Sequence, residues 1–465
     1  MRLAIIGGGL SGLSAAWQAK KDGIDFQLFE ASSRFGGVLH TVQLDDDVFA
    51  EAGAESCLRS KPELLDLCGE LGLADEILTT TPENTGAFVV RGGDLYQIPQ
   101  GFRLMAPSAW WPFLRSGLIS WPGKLRTALD LVLPVKGADI EDETLAEFVT
   151  RRLGREVLDY LAQPLVAGIY GADPQALSLE ASMPLFLRLE QEHGSVIKGL
   201  RALGTEGDSH GARYNLFFSL KRGFGDVVRA LVEQLPEGAL HLGAVVDGLR
   251  QLEGGQGWEV TVRDRGPERF DAVVVALAAP QAASLLQQAA PDVSEMLAGI
   301  HSRGAVTVNI CYDRTVFDSF VPRAFGFVVP AEEKRPLLAC TFSSHKWLNR
   351  GNDNTGVLRT YFGGPGMEWA LKASDADLME VSQAQLAALL GLGGEPLFYK
   401  VHRWPVGLPE YRIGHRSLVH NIRRSLEEYT GLGLAGNFLD GVGMPDCVRL
   451  GYRAVVDVRQ SVGTL

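Results

Sequence analysis

Cysteine is scarce in this chain. Its 465 residues hold five: Cys57, Cys68, Cys311, Cys340 and Cys447. None are spaced as CxxC, and no histidine sits at metal-site spacing from them. A disulfide framework and a zinc site are therefore not expected, and no metal is assigned. Basic residues are also few: 44 Lys and Arg against 56 Asp and Glu give a formal net charge of −12. Broad nucleic-acid binding needs a positive surface, so nucleic acid is excluded as a partner. A local basic pocket for an anionic ligand is not. Long apolar runs are missing too, since no stretch reaches the roughly 18 consecutive apolar residues of a membrane span.

What is present is an ordinary globular composition, with 46% hydrophobic residues, 22% charged residues, 54 Gly and 22 Pro. The length favours more than one structural domain. The strongest signal lies in the first forty residues. Leu3–Ile6 is an apolar run suited to a strand buried on both faces. Gly7, Gly9 and Gly12 then form G-x-G-x-x-G, and a helical pattern follows through Leu13, Ala16, Trp17 and Lys20. Residues 25–29 read as a second strand ending at Glu30. Each part has a physical task. Gly7 permits a tight turn, Gly9 lets a pyrophosphate approach the backbone, and Gly12 lets the helix pack close to the sheet. The free N–H groups of the helix start, including those of Leu10 and Ser11, then face the phosphates. Glu30 stands at the spacing of the carboxylate that accepts hydrogen bonds from an adenosine ribose. Only Met1 and Arg2 precede this unit, so a cleaved leader would have to remove it. The expectation is a reduced, cytoplasmic compartment, with peripheral contact on the inner face of the cell membrane left open.

The next segment chooses between dinucleotides. Ala31-Ser32-Ser33-Arg34-Phe35-Gly36-Gly37-Val38 resembles the R-x-G-G signature of amine-oxidase-like flavoproteins. The resemblance implies FAD, with Ala31, Arg34, Gly36 and Gly37 helping to seat it. At the other end, residues 432–437 read as an apolar strand ending in Gly436-Asn437, with a helix starting after Pro445. That helix start is placed to stabilise negative charge on a reduced flavin ring.

Between these ends, the expected elements are a helix after Ser60, opened by a Ser60/Glu63 capping box, and a hairpin over 88–98. Helices are expected at 144–153 and 156–165, with the latter broken by Gly168–Pro174. A charged helical stretch at 188–201 runs into the loop Gly204–Gly211. A buried strand is expected at 271–277, and strands at 301–312, 324–329, 337–342 and 357–362. Residues 99–134 crowd Trp110, Trp111, Trp121 and many leucines among Arg115, Lys124 and Arg126. They read either as helical substrate-domain core or as an aromatic, basic membrane-surface face. No internal repeat is visible.

The whole pattern closely resembles the oxygen-dependent porphyrinogen oxidases, a family that oxidises protoporphyrinogen or coproporphyrinogen. Its markers run through MRLAIIGGGLSGLSAAW, FEASSRFGGVLHT, PLVAGIYGADPQALSLEASMP, HRWPVGLPEYRIGH and AGNFLDGVGMPDCVRLG. The resemblance implies an α/β, Rossmann-like FAD-binding domain, discontinuous over 1–90, 215–300 and 400–465. It adds a helical, membrane-facing region at 91–214 and a substrate-domain sheet at 301–399 within a mixed α+β part. It implies FAD-dependent oxidation of protoporphyrinogen IX to protoporphyrin IX in haem biosynthesis, with oxygen as acceptor and hydrogen peroxide as product. Oxidation of coproporphyrinogen III to coproporphyrin III is the alternative, and an amine oxidase or desaturase of the same superfamily is a further one. Monomer and homodimer both stay open.

For such a reaction the cofactor carries the hard step, and no catalytic side chain is demanded. An absent Ser/His/Asp triad or carboxylate pair is consistent with this. Implied cofactor contacts are the glycine turn, Glu30 and the R-x-G-G loop, together with Val246, Trp404, Gly436, Val442, Gly443 and Met444. The substrate calls for an apolar slot with a cationic rim. Candidates are Arg59, Lys61 and His40 for its carboxylates, the loop Gly168, Ile169 and Tyr170 beside the reactive bridge, and Phe327 for the ring slot. His402 and His415 are expected to be structural, and Arg403 to brace the flavin along with Trp404. The order Gly171-Ala172 and the Gly53-Ala54 pair depart from common family usage.

Overall fold

The computed structural model describes residues 1–463 apart from Glu83, Thr85, Leu104, 137–141 and 204–215, and gives only the backbone at Arg103 and Ile169. The expected loop Gly204–Gly211 therefore lies outside the described residues.

One sheet is parallel throughout and has five strands. Strand β1 (Arg2–Ile6) lies at its centre, helix α1 (Leu10–Lys21) follows, and β2 (Asp25–Glu30) pairs beside β1. Leu240–Leu242 flanks β2, while Ala272–Val275 and Leu432–Leu434 extend the other side. The continuous apolar runs are explained by burial on both faces. Leu3, Ile5, Ala272 and Val274 point into one core cluster with α1 and the C-terminal helix Met444–Gly463. Ala4, Ile6, Val273 and Val275 point into a second, against the helices Ala279–Leu286, Pro291–Ala298 and His415–Leu426. Side chains alternate across a strand, so each such strand must be apolar at every position.

The second large sheet has seven strands, in the order Phe398–Pro409, Ser302–Asp313, Thr355–Gly363, Ala339–Thr341, Gly326–Val328, Phe88–Arg91 and Asp94–Gln97. Period-2 alternation splits it into two chemically different faces. Val306, Val308, Ile310, Leu358 and Phe362 pack in a core with the helix Asp375–Leu390. Thr307, Asn309, Arg359 and Tyr361 occupy the other face. The strand Phe398–Pro409 pairs along most of Ser302–Asp313, and its glycine and prolines concealed it in the sequence.

A helical part packs against one end of this sheet through a fourth cluster. Thr144 caps Leu145–Arg152 with a full capping box. Two expectations are corrected here. The helix after Ser60 starts at Glu63 with Pro62 as its N-cap and has no side-chain cap, so there is no Ser60 box. The expected break within Gly168–Pro174 is found, at left-handed Gly171, after a helix that runs through a wider π turn at Leu158–Ala162 and ends at Tyr170. The stretch 188–201 is two helices, Pro184–His193 and Val196–Ala202, separated at Gly194. Among the described residues no helix is long and apolar enough to cross a membrane.

Candidate flavin and substrate site

The glycine turn is built as the spacing requires. A Cβ on Gly12 would lie 1.8 Å from the Gly7 carbonyl oxygen, so only glycine lets α1 start this close to β1. Gly7 itself adopts φ +108°, outside the range of ordinary residues. At Gly9 a Cβ would meet nothing within 4 Å, which leaves open space in front of the helix start. No side chain caps that start and no acidic residue occupies its first turn, so its N–H groups are free for an anion.

The R-x-G-G loop lies directly on this turn. Gly36 donates its N–H to the Gly8 carbonyl at 2.8 Å, and Gly9 and Gly36 bridge in parallel. Arg34 donates to the Gly37 carbonyl at 2.6 Å, so its fork shapes the loop through backbone oxygens. Glu30 accepts from Gly8 N–H at 2.7 Å and from Ser32 N–H at 2.8 Å. Ala244 N–H reaches the Glu30 carbonyl at 2.9 Å, which brings the chain just before Val246 to the same end. These contacts place the turn, Glu30, Ala31, the R-x-G-G loop and the approach to Val246 around one strip.

The C-terminal end joins them. Gly451 packs against the Ser11 backbone, and the side chains of Ser11 and Cys447 are in hydrogen-bonding contact. Asp446, in the first turn of the last helix, accepts from Gly443 N–H at 3.2 Å, and a Cβ on Gly441 would run into its carboxylate. Lys61 donates to both Asp446 oxygens, at 2.8 and 2.7 Å. The proposed carboxylate anchor is thus already clasped to the loop Gly436–Met444. Val442 and Tyr170 pack in the cluster that holds Tyr411, whose hydroxyl donates to the Asn437 carbonyl at 2.5 Å. The end of the Gly168–Tyr170 helix is therefore carried to the C-terminal loop. Tyr170 donates to the Ser182 carbonyl at 2.9 Å, and burial pushes its phenol up to about 12. It stays protonated and structural. The side chain of Ile169 lies outside the described residues.

The polar face of the seven-stranded sheet closes the remaining side. Trp404 donates to the Ala52 carbonyl at 2.9 Å. Thr307 reaches the same oxygen at 2.9 Å, and Asn309 the Glu51 carbonyl at 2.9 Å. Gly53 is pressed onto the Val38 carbonyl oxygen, where a Cβ would sit 1.9 Å away. His40 meets His402 edge-on, with ring centroids 5.8 Å apart. Burial, then the charges of Arg34 and Lys400, pull the His40 imidazole below its ordinary value. A neutral imidazole is a hydrogen-bond partner and a poor anchor for a carboxylate.

Several sequence candidates fall elsewhere. Phe327 is 1% exposed on the apolar face of the sheet, packed on Phe342, and does not face this site. Strand alternation sends its neighbour Val328 toward the helical part instead. Arg403 bonds Asp375 at 2.6 Å and the Ala373 carbonyl at 2.6 Å, away from Trp404's face. Arg59, by contrast, stays beside Lys61, two residues before it, with its backbone N–H on the Leu216 carbonyl and its side chain half-buried. His415 stacks on Tyr411 at 3.9 Å and contacts the Leu439 carbonyl at 3.1 Å, so it is structural as expected. Arg359, Tyr361, Thr307 and Asn309 went unselected, although polar residues at alternate positions of two apolar strands were the available signal.

This geometry fits a flavin dinucleotide: a glycine cradle with open space at Gly9, a carboxylate at the tip of β2, and a second helix start brought to the first. The model of the flavin-containing amine oxidoreductases matches residues 10–459. The chain is 30% identical to the coproporphyrinogen III oxidase of Bacillus subtilis (strain 168) over 465 residues, spanning 98% of this chain and 97% of that one. It is 30% identical over 467 residues to the coproporphyrinogen III oxidase of Staphylococcus aureus (strain NCTC 8325 / PS 47), spanning 98% of each. A crystal structure from Exiguobacterium sp. 255-15, provisionally described as a protoporphyrinogen oxidase, superposes with TM-score 0.87 at 28% identity, covering 99% of this chain and 98% of that one. The chain belongs to the flavin-containing amine oxidoreductase family, as an FAD-dependent oxidoreductase related to the coproporphyrinogen and protoporphyrinogen oxidases.

Proposed function

We propose that this protein oxidises coproporphyrinogen III to coproporphyrin III, using three molecules of oxygen and releasing three of hydrogen peroxide. The observation that carries the reading is the meeting of the Gly7–Gly12 turn, the Gly436–Met444 loop and the Gly168–Tyr170 helix end at one place. The sequence alone leaned to protoporphyrinogen. The two bacterial relatives at 30% identity, both coproporphyrinogen III oxidases, favour the tetracarboxylate instead.

Bound FAD would supply the two-electron acceptor and its reoxidation by oxygen. The chain's own residues bind and orient. The α1 start and Gly9 would receive the pyrophosphate, and Glu30 the ribose. Arg34, Gly36 and Gly37 hold the loop that would seat the nucleotide, and Gly443 with the last helix start would close over it. Trp404 and Thr307 fix the Ala52–Gly53 backbone between this cradle and the seven-stranded sheet. On the substrate side the Gly168 backbone orients the macrocycle, with Lys61 and Arg59 as the cationic rim. Tyr170 and Tyr411, both with phenols raised by burial, stay neutral and exclude water. No side chain in this cluster needs to move a proton for the carbon–hydrogen bond to break.

The exposed tryptophans belong to the same reading. Trp111 is 63% and Trp121 66% exposed, beside exposed Leu125 and Val132, with Arg115 stacked over Trp111. We take this as a peripheral contact with an anionic lipid surface. The testing experiment is peroxide-coupled turnover of purified yellow protein with the two porphyrinogens. A kcat/KM at least tenfold higher for coproporphyrinogen supports the assignment. Preference for protoporphyrinogen, or turnover of neither, overturns it.

A further inference from the structure

Arg359 is 1% exposed, and only part of its guanidinium is used. Its Nη2 donates to the Ala52 carbonyl at 3.1 Å and to the Gly53 carbonyl. Its Nε and Nη1 are buried with no hydrogen-bond partner. A guanidinium carries five N–H bonds, so three of them are orphaned here. Among the described residues Arg359 forms no ion pair. Its buried cationic neighbours do: Arg350 faces Glu51 at 3.8 Å, and Lys346 faces Glu55 at 3.7 Å. The Tyr361 ring lies 4.7 Å from the guanidinium carbon, but a π face does not satisfy in-plane N–H groups. The buried carboxylates of Glu55 and Glu51 feel its charge, but neither accepts a hydrogen bond from the free N–H groups. Leaving such N–H groups buried without acceptors is costly, and proteins seldom do so without a guest.

The position of the orphaned edge identifies the guest. The strand register puts Arg359 opposite Asn309 and Tyr361 opposite Thr307, on the face that grips Glu51–Gly53. Gly53 in turn is wedged on Val38, immediately after the R-x-G-G loop. Nearby, His402 Nε2 is a second buried nitrogen without a partner, on the ring that meets His40. With Asn309 Oδ1, buried and without a partner opposite Arg359, three residues carrying unsatisfied polar atoms therefore lie at the seam between the nucleotide cradle and the substrate sheet.

We propose that Arg359 is a positioning and charge-stabilising residue for the flavin ring, its free N–H edge meeting the negative charge that arrives there when the substrate is oxidised. This rests on the flavin-oxidase reading above. A fixed cation buried from bulk solvent favours the reduced state of a nearby acceptor, because little solvent screens it and little must reorganise.

The test is the midpoint potential of the holoenzyme, measured by dye equilibration in wild type, Arg359→Gln and Arg359→Lys. Loss of the cation is expected to cut the preference for reduced flavin at least tenfold, which is about 30 mV for a two-electron couple. Lysine should restore most of it. Should Arg359→Gln not fold, Arg359→Met, which keeps the aliphatic stem and drops the N–H edge, stands in. Equal potentials in wild type and the uncharged variant overturn the proposal, even if Tm falls, because a purely structural arginine moves only Tm. A tenfold rise in KM for coproporphyrinogen at unchanged potential also overturns it, and gives the N–H edge to a substrate carboxylate. Failure of the parent reading looks different, since wild type itself would then hold no FAD or oxidise neither porphyrinogen.

Discussion

The backbone oxygen of Ser11 lies 2.3 Å from the point where Gly451 would carry a Cβ. That spacing ties the first helix to the last, residues separated by most of the chain. It holds two distant glycine turns side by side. Gly451→Val should push the helices apart and cost about 1–3 kcal/mol, as overpacking does. A drop of several degrees in Tm and faster loss of flavin absorbance on gel filtration are expected. Wild-type Tm and flavin retention would show that the contact yields without consequence.

Glu30 sits at the tip of β2 with one oxygen on Gly8 N–H and the other on Ser32 N–H. Glu30→Ala removes the acceptor proposed for a ribose and leaves both amides without their carboxylate. A hydrogen bond to a charged group is worth about 1.5–3 kcal/mol, so FAD affinity should fall by roughly 10- to 100-fold. Titration of apoprotein with FAD, followed by quenching of flavin fluorescence, measures this. An unaltered affinity would remove Glu30 from the cofactor's contacts.

The parts most legible in the sequence were those where local pattern and tertiary role coincide. β1, α1, β2 and Glu30 were readable because a strand buried on both faces, a glycine turn and an uncapped helix start each leave a local mark. The strand Phe398–Pro409 was not, because its register against Ser302–Asp313 is bought by long-range pairing that local propensity does not encode. Phe327 shows the same limit at one residue: sequence placed it in a strand, but only packing decides which face of that strand meets the site. Lys61 was singled out for its charge, whereas its partner Asp446 lies 385 positions away and could not be paired with it by spacing.

That pair gives a prediction of its own. Lys61 is half-exposed and Asp446 only 5% exposed, so the bridge is partly screened and worth about 1 kcal/mol. Asp446 keeps Arg449 and Gly443 N–H when Lys61 is lost. Lys61→Ala should therefore retain FAD while raising KM for coproporphyrinogen several-fold, more than it lowers kcat. Asp446→Asn should instead loosen the Gly441–Gly443 turn and lower FAD content. Steady-state kinetics beside the 450-nm flavin absorbance separate the two, and an unchanged KM for Lys61→Ala would leave Lys61 as a clip between two parts of the fold.

His402 sets a pH dependence. Burial, followed by the neighbouring His40, Arg359, Lys400 and Arg34, pulls its imidazole down to about 4. In the unfolded chain it titrates near the ordinary value of about 6.5. Above that pH the ring is neutral in both states and its contribution to folding is intact. As pH falls through the window from about 6.5 to about 4, the unfolded chain binds a proton that the folded chain refuses, so stability declines. Below about 4 both states are protonated and the loss is complete. His402→Asn carries no such proton and should flatten the fall of Tm between pH 6.5 and 4 relative to wild type. Parallel Tm profiles for the two proteins across that window would mean that the ring is more freely solvated than its place beside Arg359 implies.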